Sequence, residues 1–198
     1  SVWRGQLFDA QPNIQPYMEY ANSGFAAGFW ASYNLDGTYA EPDFYLSYSQ
    51  AGFAFTVYDY HNGGGVDYFN YDSDSTLHLI ETMATYTLPT IPLYFTASVF
   101  VYGDDKKVDE EGEYTNNYST YLEVGYSFSF EQNSLDLAAG FVPMESPFYG
   151  TEGAAPVNIA LTGSRDIKIT EDFSLPVFFS FVSNPNIEEA YMIFGLSL

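Results

Sequence analysis

The chain has no cysteine, only 5 Lys and Arg, and 2 His among its 198 residues. The missing thiols exclude disulfide staples and thiolate metal sites. Five cations against 26 acids leave a formal net charge of -21. That balance argues against a nucleic-acid partner, because such binding rests on neutralising phosphates. Runs of roughly 18 or more apolar residues, which a membrane helix needs, are also absent. No segment shows a helical period. The opening Ser1-Val2-Trp3-Arg4-Gly5 carries no signal peptide and starts in mid-pattern, as a processed or trimmed chain would.

Aromatics, in contrast, are abundant at 20%, with 19 Tyr and 18 Phe. Mean hydropathy is only -0.12 despite the charge. Charge in loops and aromatics on strands reconciles the two. Between Tyr118 and Phe130 the apolar residues Leu122, Val124, Tyr126, Phe128 and Phe130 alternate with Tyr121, Glu123, Gly125, Ser127 and Ser129. A period of two means strand.

Twelve such segments are predicted: Val2–Phe8, Ile14–Ala21, Phe25–Asn34, Asp43–Ser49, Phe53–His61, Thr76–Thr87, Leu93–Gly103, Tyr118–Phe130, Leu135–Val142, Val157–Ile169, Phe173–Val182 and Ala190–Leu198. Their connections alternate short and long, which is the habit of outer-membrane barrels with short periplasmic turns and longer outside loops. The expected fold is all-β: one closed antiparallel transmembrane β-barrel over residues 1–198, of about 12 strands, with both termini periplasmic. A sheet closed on itself satisfies its backbone in lipid and needs no helix.

Facing follows from parity. Trp3, Leu7, Met18, Phe44, Leu46, Phe55, Leu137, Leu161, Phe179, Phe181 and Phe194 are expected toward lipid. The charged residues expected in the lumen, and so lining any pore, are Arg4, Glu19, Asp43, Glu123 and Asp136, with Glu81 added by a bulge between Leu79 and Glu81. Arg4 and Glu19, on adjacent predicted strands, are expected to pair. Such charges either stiffen a plugged barrel or line a cation path.

Asp72, Asp74, Asp104, Asp105, Asp109 and Glu110 cluster in the predicted outer loops. Oxygen ligands of this kind suit Ca²⁺ or Mg²⁺. None matches a dedicated Ca²⁺ loop, so a solvated acidic surface is the plainer reading and no cofactor is required. His61-Asn62-Gly63-Gly64-Gly65 lacks the following helix of a phosphate cradle. It reads as a loop tip. A lipid-active enzyme would need a nucleophile beside His61 or His78. Ser73 and Ser75 are near in sequence, but no Gly-x-Ser-x-Gly elbow appears.

Further residues carry a resemblance: Val2-Trp3-Arg4-Gly5-Gln6, Gln15-Pro16, Gly28-Phe29-Trp30-Ala31-Ser32-Tyr33, Glu41-Pro42-Asp43-Phe44-Tyr45, Val57-Tyr58-Asp59-Tyr60, Gly63-Gly64-Gly65, Asn184-Pro185-Asn186, Ala190-Tyr191 and Phe194-Gly195. Together they resemble the TorF-type porins (the Gcw-chp family) of Gram-negative outer membranes, in a Bacteroidota-like form. The resemblance spans nearly the whole chain and implies a porin; it brings no catalytic residues. The first expectation is therefore an outer-membrane channel for small, cationic solutes, embedded among outer-membrane lipid and lipopolysaccharide. The alternative is a closed structural or accessory barrel within a larger envelope complex or homo-oligomer.

Overall fold

The computed structural model describes residues 1–63 and 67–197. Among them there is no helix. Twelve strand segments form one antiparallel sheet. In chain order they are β3 (Asn13–Ile14), β4 (Tyr17–Asn22), β5 (Phe25–Asn34), β6 (Ala40–Gln50), β7 (Phe53–His61), β8 (His78–Thr87), β9 (Leu93–Gly103), β12 (Thr120–Phe130), β13 (Asn133–Val142), β14 (Ala155–Lys168), β15 (Ser174–Asn184) and β16 (Glu189–Leu196). β3 and β4 both pair with β5, and from β5 onward each strand pairs with the next in this order. Two further hairpins stand apart: β1 (Val2–Trp3) with β2 (Gln6–Leu7), and β10 (Lys106–Val108) with β11 (Tyr114–Asn116).

The predicted strand Ile14–Ala21 is split. Gln15 and Pro16 interrupt it, because Pro has no N–H to give the ladder. The register runs on without slip, from Ile14 opposite Tyr33 to Tyr17 opposite Trp30. β3 and β4 are therefore one stave, and the sheet has eleven staves. The count of twelve segments arises from this split, not from Val2–Phe8.

Val2–Phe8, expected as the first stave, lies outside the large sheet. Arg4 and Gly5 both have positive φ, 48° and 78°. Two consecutive left-handed residues make a tight primed turn, so the segment folds back on itself. Trp3 consequently does not lie on the outer face of the sheet. It packs against Tyr60 of β7 at 5.5 Å and Phe148 at 6.2 Å. Leu7 is part of the same hairpin rather than a lipid-facing strand. The expectation that both chain ends share one side rested on this segment, so it no longer places Ser1. Ser1 lies by Tyr39 and Glu41 at the long-connection end of β6. β16 runs out at the other end.

The hairpin reports the curvature of the sheet. Trp3 touches β7, while Gly5 abuts the Val157 carbonyl of β14 and accepts from Asn184 Nδ2 of β15 at 3.2 Å. In a flat sheet β7 and β15 would lie about 29 Å apart. A hairpin cannot reach both unless the sheet rolls around it. Two bulges flank the docking site. Val101 has no partner opposite the Ile80–Glu81 step, and Val157 has none opposite the Gly140–Phe141 step. The second turns Val157 and Asn158 inward together, and both are buried. The first differs from expectation. β8 keeps its parity and Leu79 points inward with Glu81, because the extra residue sits on β9.

The remaining parity separates the two faces. Phe44, Leu46, Phe55, Leu137, Leu161, Phe179, Phe181 and Phe194 are exposed on the convex side. Inside, aromatic rings lie over glycines of the next strand: Tyr45 over Gly28, Tyr94 over Gly125, Phe178 over Gly195. A Cβ at Gly125 would meet Tyr94 Cζ at 2.0 Å. These joints let large rings lie flat in a tightly curved sheet.

The connections alternate as expected. Two-residue turns join β4 to β5, β6 to β7 and β12 to β13, each with a residue at positive φ. The longer links, such as 62–77, 104–119 and 143–154, all fall at the opposite end.

Candidate functional site: the inward hairpin and its charged clasp

The buried apolar cluster lies in the long-connection half of the concave face. It consists of Leu79, Phe100, Tyr121, Val142, Tyr149 and Val157, with Trp3, Tyr60 and Phe148 packed against it. Into it the hairpin inserts Arg4. Its Nη1 donates to Glu81 Oε1 at 2.5 Å and Nη2 to Oε2 at 3.2 Å. Nη1 also donates to the Tyr149 hydroxyl at 2.8 Å. The guanidinium lies 4.1 Å from the Trp3 ring centroid and 4.4 Å from that of Tyr121. Tyr60 donates to Glu81 Oε2 at 2.8 Å. Glu81 is 1% exposed.

This combination answers the cost of burying charge. An unpaired buried ion is expensive; a two-pronged ion pair with its remaining lone pairs satisfied is tolerable. The aromatic faces add cation–π attraction of about 0.5–2 kcal/mol each. Arg suits the place because its flat fork matches a carboxylate and stacks on rings, which Lys cannot do.

Beside the clasp a second carboxylate is held. Glu123 accepts from Tyr94 at 3.0 Å, from Tyr121, and from Asn158 at 3.3 Å. Below this layer, toward the short turns, a cavity of about 2020 Å³ opens. Its inner wall includes Thr96, Glu123, Thr162, Ser164 and Ser180.

Of the charges expected inside, Arg4 and Glu123 thus belong to one layer. The expected Arg4–Glu19 pair is not formed. Arg4 pairs with Glu81, while Glu19 accepts from Tyr45 at 2.6 Å on β4, near the sheet edge. The cause is the hairpin, which carries Arg4 away from β4. Asp43 is 6% exposed on β6 between Trp30 and Tyr60 in register, and its Oδ1 has no partner among the described residues. Asp136 stands opposite Ser127 and Thr162.

Three of the six loop acids accept backbone amides. Asp105, 1% exposed, takes Ser119 N and Oγ at 2.7 and 2.6 Å. Asp109 takes the amides of Glu111 and Glu113, and Asp72 that of Asp74. Asp104 gives its amide to the His78 carbonyl, and Glu110 is exposed. Partial desolvation raises the Asp104 carboxyl above its ordinary value. Among the described residues no three His, Cys, Asp or Glu side chains gather as a metal site.

A base at His78 would need a free ring nitrogen. Both its ring nitrogens are engaged, Nδ1 with Asp59 Oδ1 and Nε2 with the Tyr68 carbonyl, each at 2.6 Å. Tyr71 stacks on it at 4.0 Å. Ser73 instead bonds Asp74, and Ser75 bonds Asn70. The cluster fastens segment 67–76 to the convex side of β7 and β8. Gly64, Gly65 and Val66 of the glycine-rich stretch lie outside the described residues.

Parity alone missed Tyr60, Tyr121 and Tyr149. The available signal was Arg4-Gly5, a turn dipeptide inside a supposed strand. Comparison of the chain with protein-family models, curated proteins and solved structures yields no match.

Proposed function

We propose that the protein is an integral outer-membrane β-barrel of porin type, held shut at rest by the Arg4 hairpin. The apolar convex face, the polar interior and the alternating connections support the membrane reading. In that setting the short turns are periplasmic, and β16 ends on that side. The observation that carries the stopper is the buried Arg4–Glu81 pair, which ties the hairpin across the interior. Solutes would enter the polar half-lumen from the short-turn side and stop at the Arg4–Tyr121 layer. A small channel with an internal constriction follows, and displacement of the hairpin opens it.

A second reading, a closed accessory barrel in an envelope complex, draws on the two sheet edges, β3–β4 and β16, which do not pair with each other among the described residues. Conductance separates the two. In planar bilayers the intact chain should give little current, and a chain lacking residues 1–8, its two unpaired sheet edges bridged by an added β-strand peptide, should give stable channels. Large current from the intact chain would remove the stopper. Silence from both forms would favour the accessory barrel.

A further inference from the structure

The two edges of the rolled sheet are the β3–β4 stave and β16. Among the described residues neither pairs with the other. All ten contacts between neighbouring staves are antiparallel. With eleven staves, the first and last therefore run the same way, from the long-connection end to the short-turn end. They cannot meet as an antiparallel pair. A single strand running the opposite way would be antiparallel to both.

Two observations and one physical constraint bear on that gap. The edge side chains are the most open on the sheet, with Met18 at 73% and Phe194 at 76% exposure. Both edges line one cavity: Gln15, Pro16 and Tyr17 on one side, Ile193, Phe194 and Gly195 on the other. Its volume of about 2020 Å³ is therefore continuous from the polar interior to the seam. Finally, unpaired N–H and C=O groups are not tolerated in a hydrocarbon setting.

From this we infer that the seam is a binding site for one extended polypeptide strand from outside residues 1–198, running from the short-turn end to the long-connection end. It would complete an even-numbered sheet. Its main chain bonds both edges, as in β-strand addition. Its outward side chains, at every second position, are apolar like Met18 and Phe194. Its inward ones are small or polar, since they face the cavity beside Tyr17 and Gly195. A second copy in the same membrane orientation does not fit. Its edges run the same way as these, so every edge-to-edge combination is parallel. The inference draws on the membrane reading only for the cost of leaving the seam open; the direction argument stands without it.

The absence of native cysteine makes the test clean. Neighbouring strands lie about 4.8 Å apart, and strands with one between them about 10 Å. A disulfide needs Cα atoms within about 7 Å. Met18→Cys with Phe194→Cys, and Tyr20→Cys with Leu196→Cys, each pair level across the two parallel edges, should therefore form no intramolecular disulfide in detergent or in vesicles. A peptide of about ten alternating Val and Thr residues, with one cysteine near its N-terminus, supplies the strand. It should cross-link to Tyr20→Cys and to Leu196→Cys, at the short-turn end. Moving its cysteine near the C-terminus should shift the cross-links to Ile14→Cys and Ala190→Cys. A peptide with Pro at alternate positions, which cannot donate, should lose both.

Direct β4–β16 disulfides in high yield would overturn the proposal. So would peptide cross-links in the parallel sense, or equal labelling by the Pro peptide. Flotation with vesicles is scored separately. A chain that never enters lipid ends the membrane reading while the detergent cross-links still decide the seam.

Discussion

Arg4 grips both carboxylate oxygens of Glu81, a residue 77 positions away, at 2.5 and 3.2 Å. The pair fastens the hairpin to β8, and its worth can be read by breaking it from one side. Glu81→Leu leaves the guanidinium buried and unpaired, which should cost about 3–5 kcal/mol. The double variant Arg4→Met with Glu81→Leu should recover most of that loss, because an apolar pair of similar volume is tolerated. Urea unfolding of the protein in lipid vesicles checks both. A double variant no better than the single one would place the damage elsewhere.

Trp3 offers a test of where the hairpin sits. In a Trp30→Phe background Trp3 is the sole tryptophan. Packed among Tyr60 and Phe148, it should resist quenching by brominated lipid chains. With Trp3→Phe as well, Phe194→Trp on the convex face should be quenched strongly. Equal quenching of the two positions would return Trp3 to the lipid side.

These tests probe the point at which parity misleads. Strand alternation identified the facing of Phe179, Leu161 and Phe44, because the polar–apolar contrast there is set by the two faces alone. It failed at Trp3. The run Val2 to Leu7 alternates like its neighbours, and a turn of two residues is invisible to a period-two pattern. Equating inward with polar sets Glu81 at odds with Leu79. The concave face is instead apolar around the hairpin, so Leu79 and Glu81 share it. Arg4–Glu81 is a contact of long sequence separation, and only the rolled sheet creates it. Pro16 removes one ladder donor inside the predicted strand Ile14–Ala21, and the intact register shows a missing bond and not the end of a stave.

The convex face predicts an asymmetry between neighbouring surfaces. Phe179→Arg, if it lies near the bilayer midplane, should cost about 2–4 kcal/mol. Ser164→Arg, on the cavity wall, should cost clearly less, since its side chain can reach water through the open half. Folding titrations into lipid vesicles compare the two. Equal losses would contradict the assigned facing.

Gly125 is required by contact, not by backbone angle. Val at this position drives its Cβ into Tyr94, which then leaves Glu123. Overpacking of this kind should cost about 1–3 kcal/mol. Adding Tyr94→Ala should make the Val far better tolerated, because the obstructing ring is gone. A double-mutant cycle by urea titration measures the coupling. Additive losses would mean that Tyr94 has room to move aside.

Selectivity is the last expectation, and it depends on the clasp. In the resting protein Arg4 neutralises Glu81, so the acids left facing the half-lumen are few. Removing residues 1–8 takes away that cation and leaves Glu81 and Glu123 unopposed in the same layer. Rings of acidic side chains favour cations. The truncated chain should therefore show a cation-selective reversal potential under a KCl gradient. The preference should fade as salt rises, because the Debye length shrinks from about 10 Å at 0.1 M to about 3 Å at 1 M. Glu81→Gln in the truncated chain should reduce selectivity, and Asp136→Asn, farther from the layer, should change it less. An anion preference in the truncated chain, or no response to Glu81→Gln, would show that this layer does not govern the path.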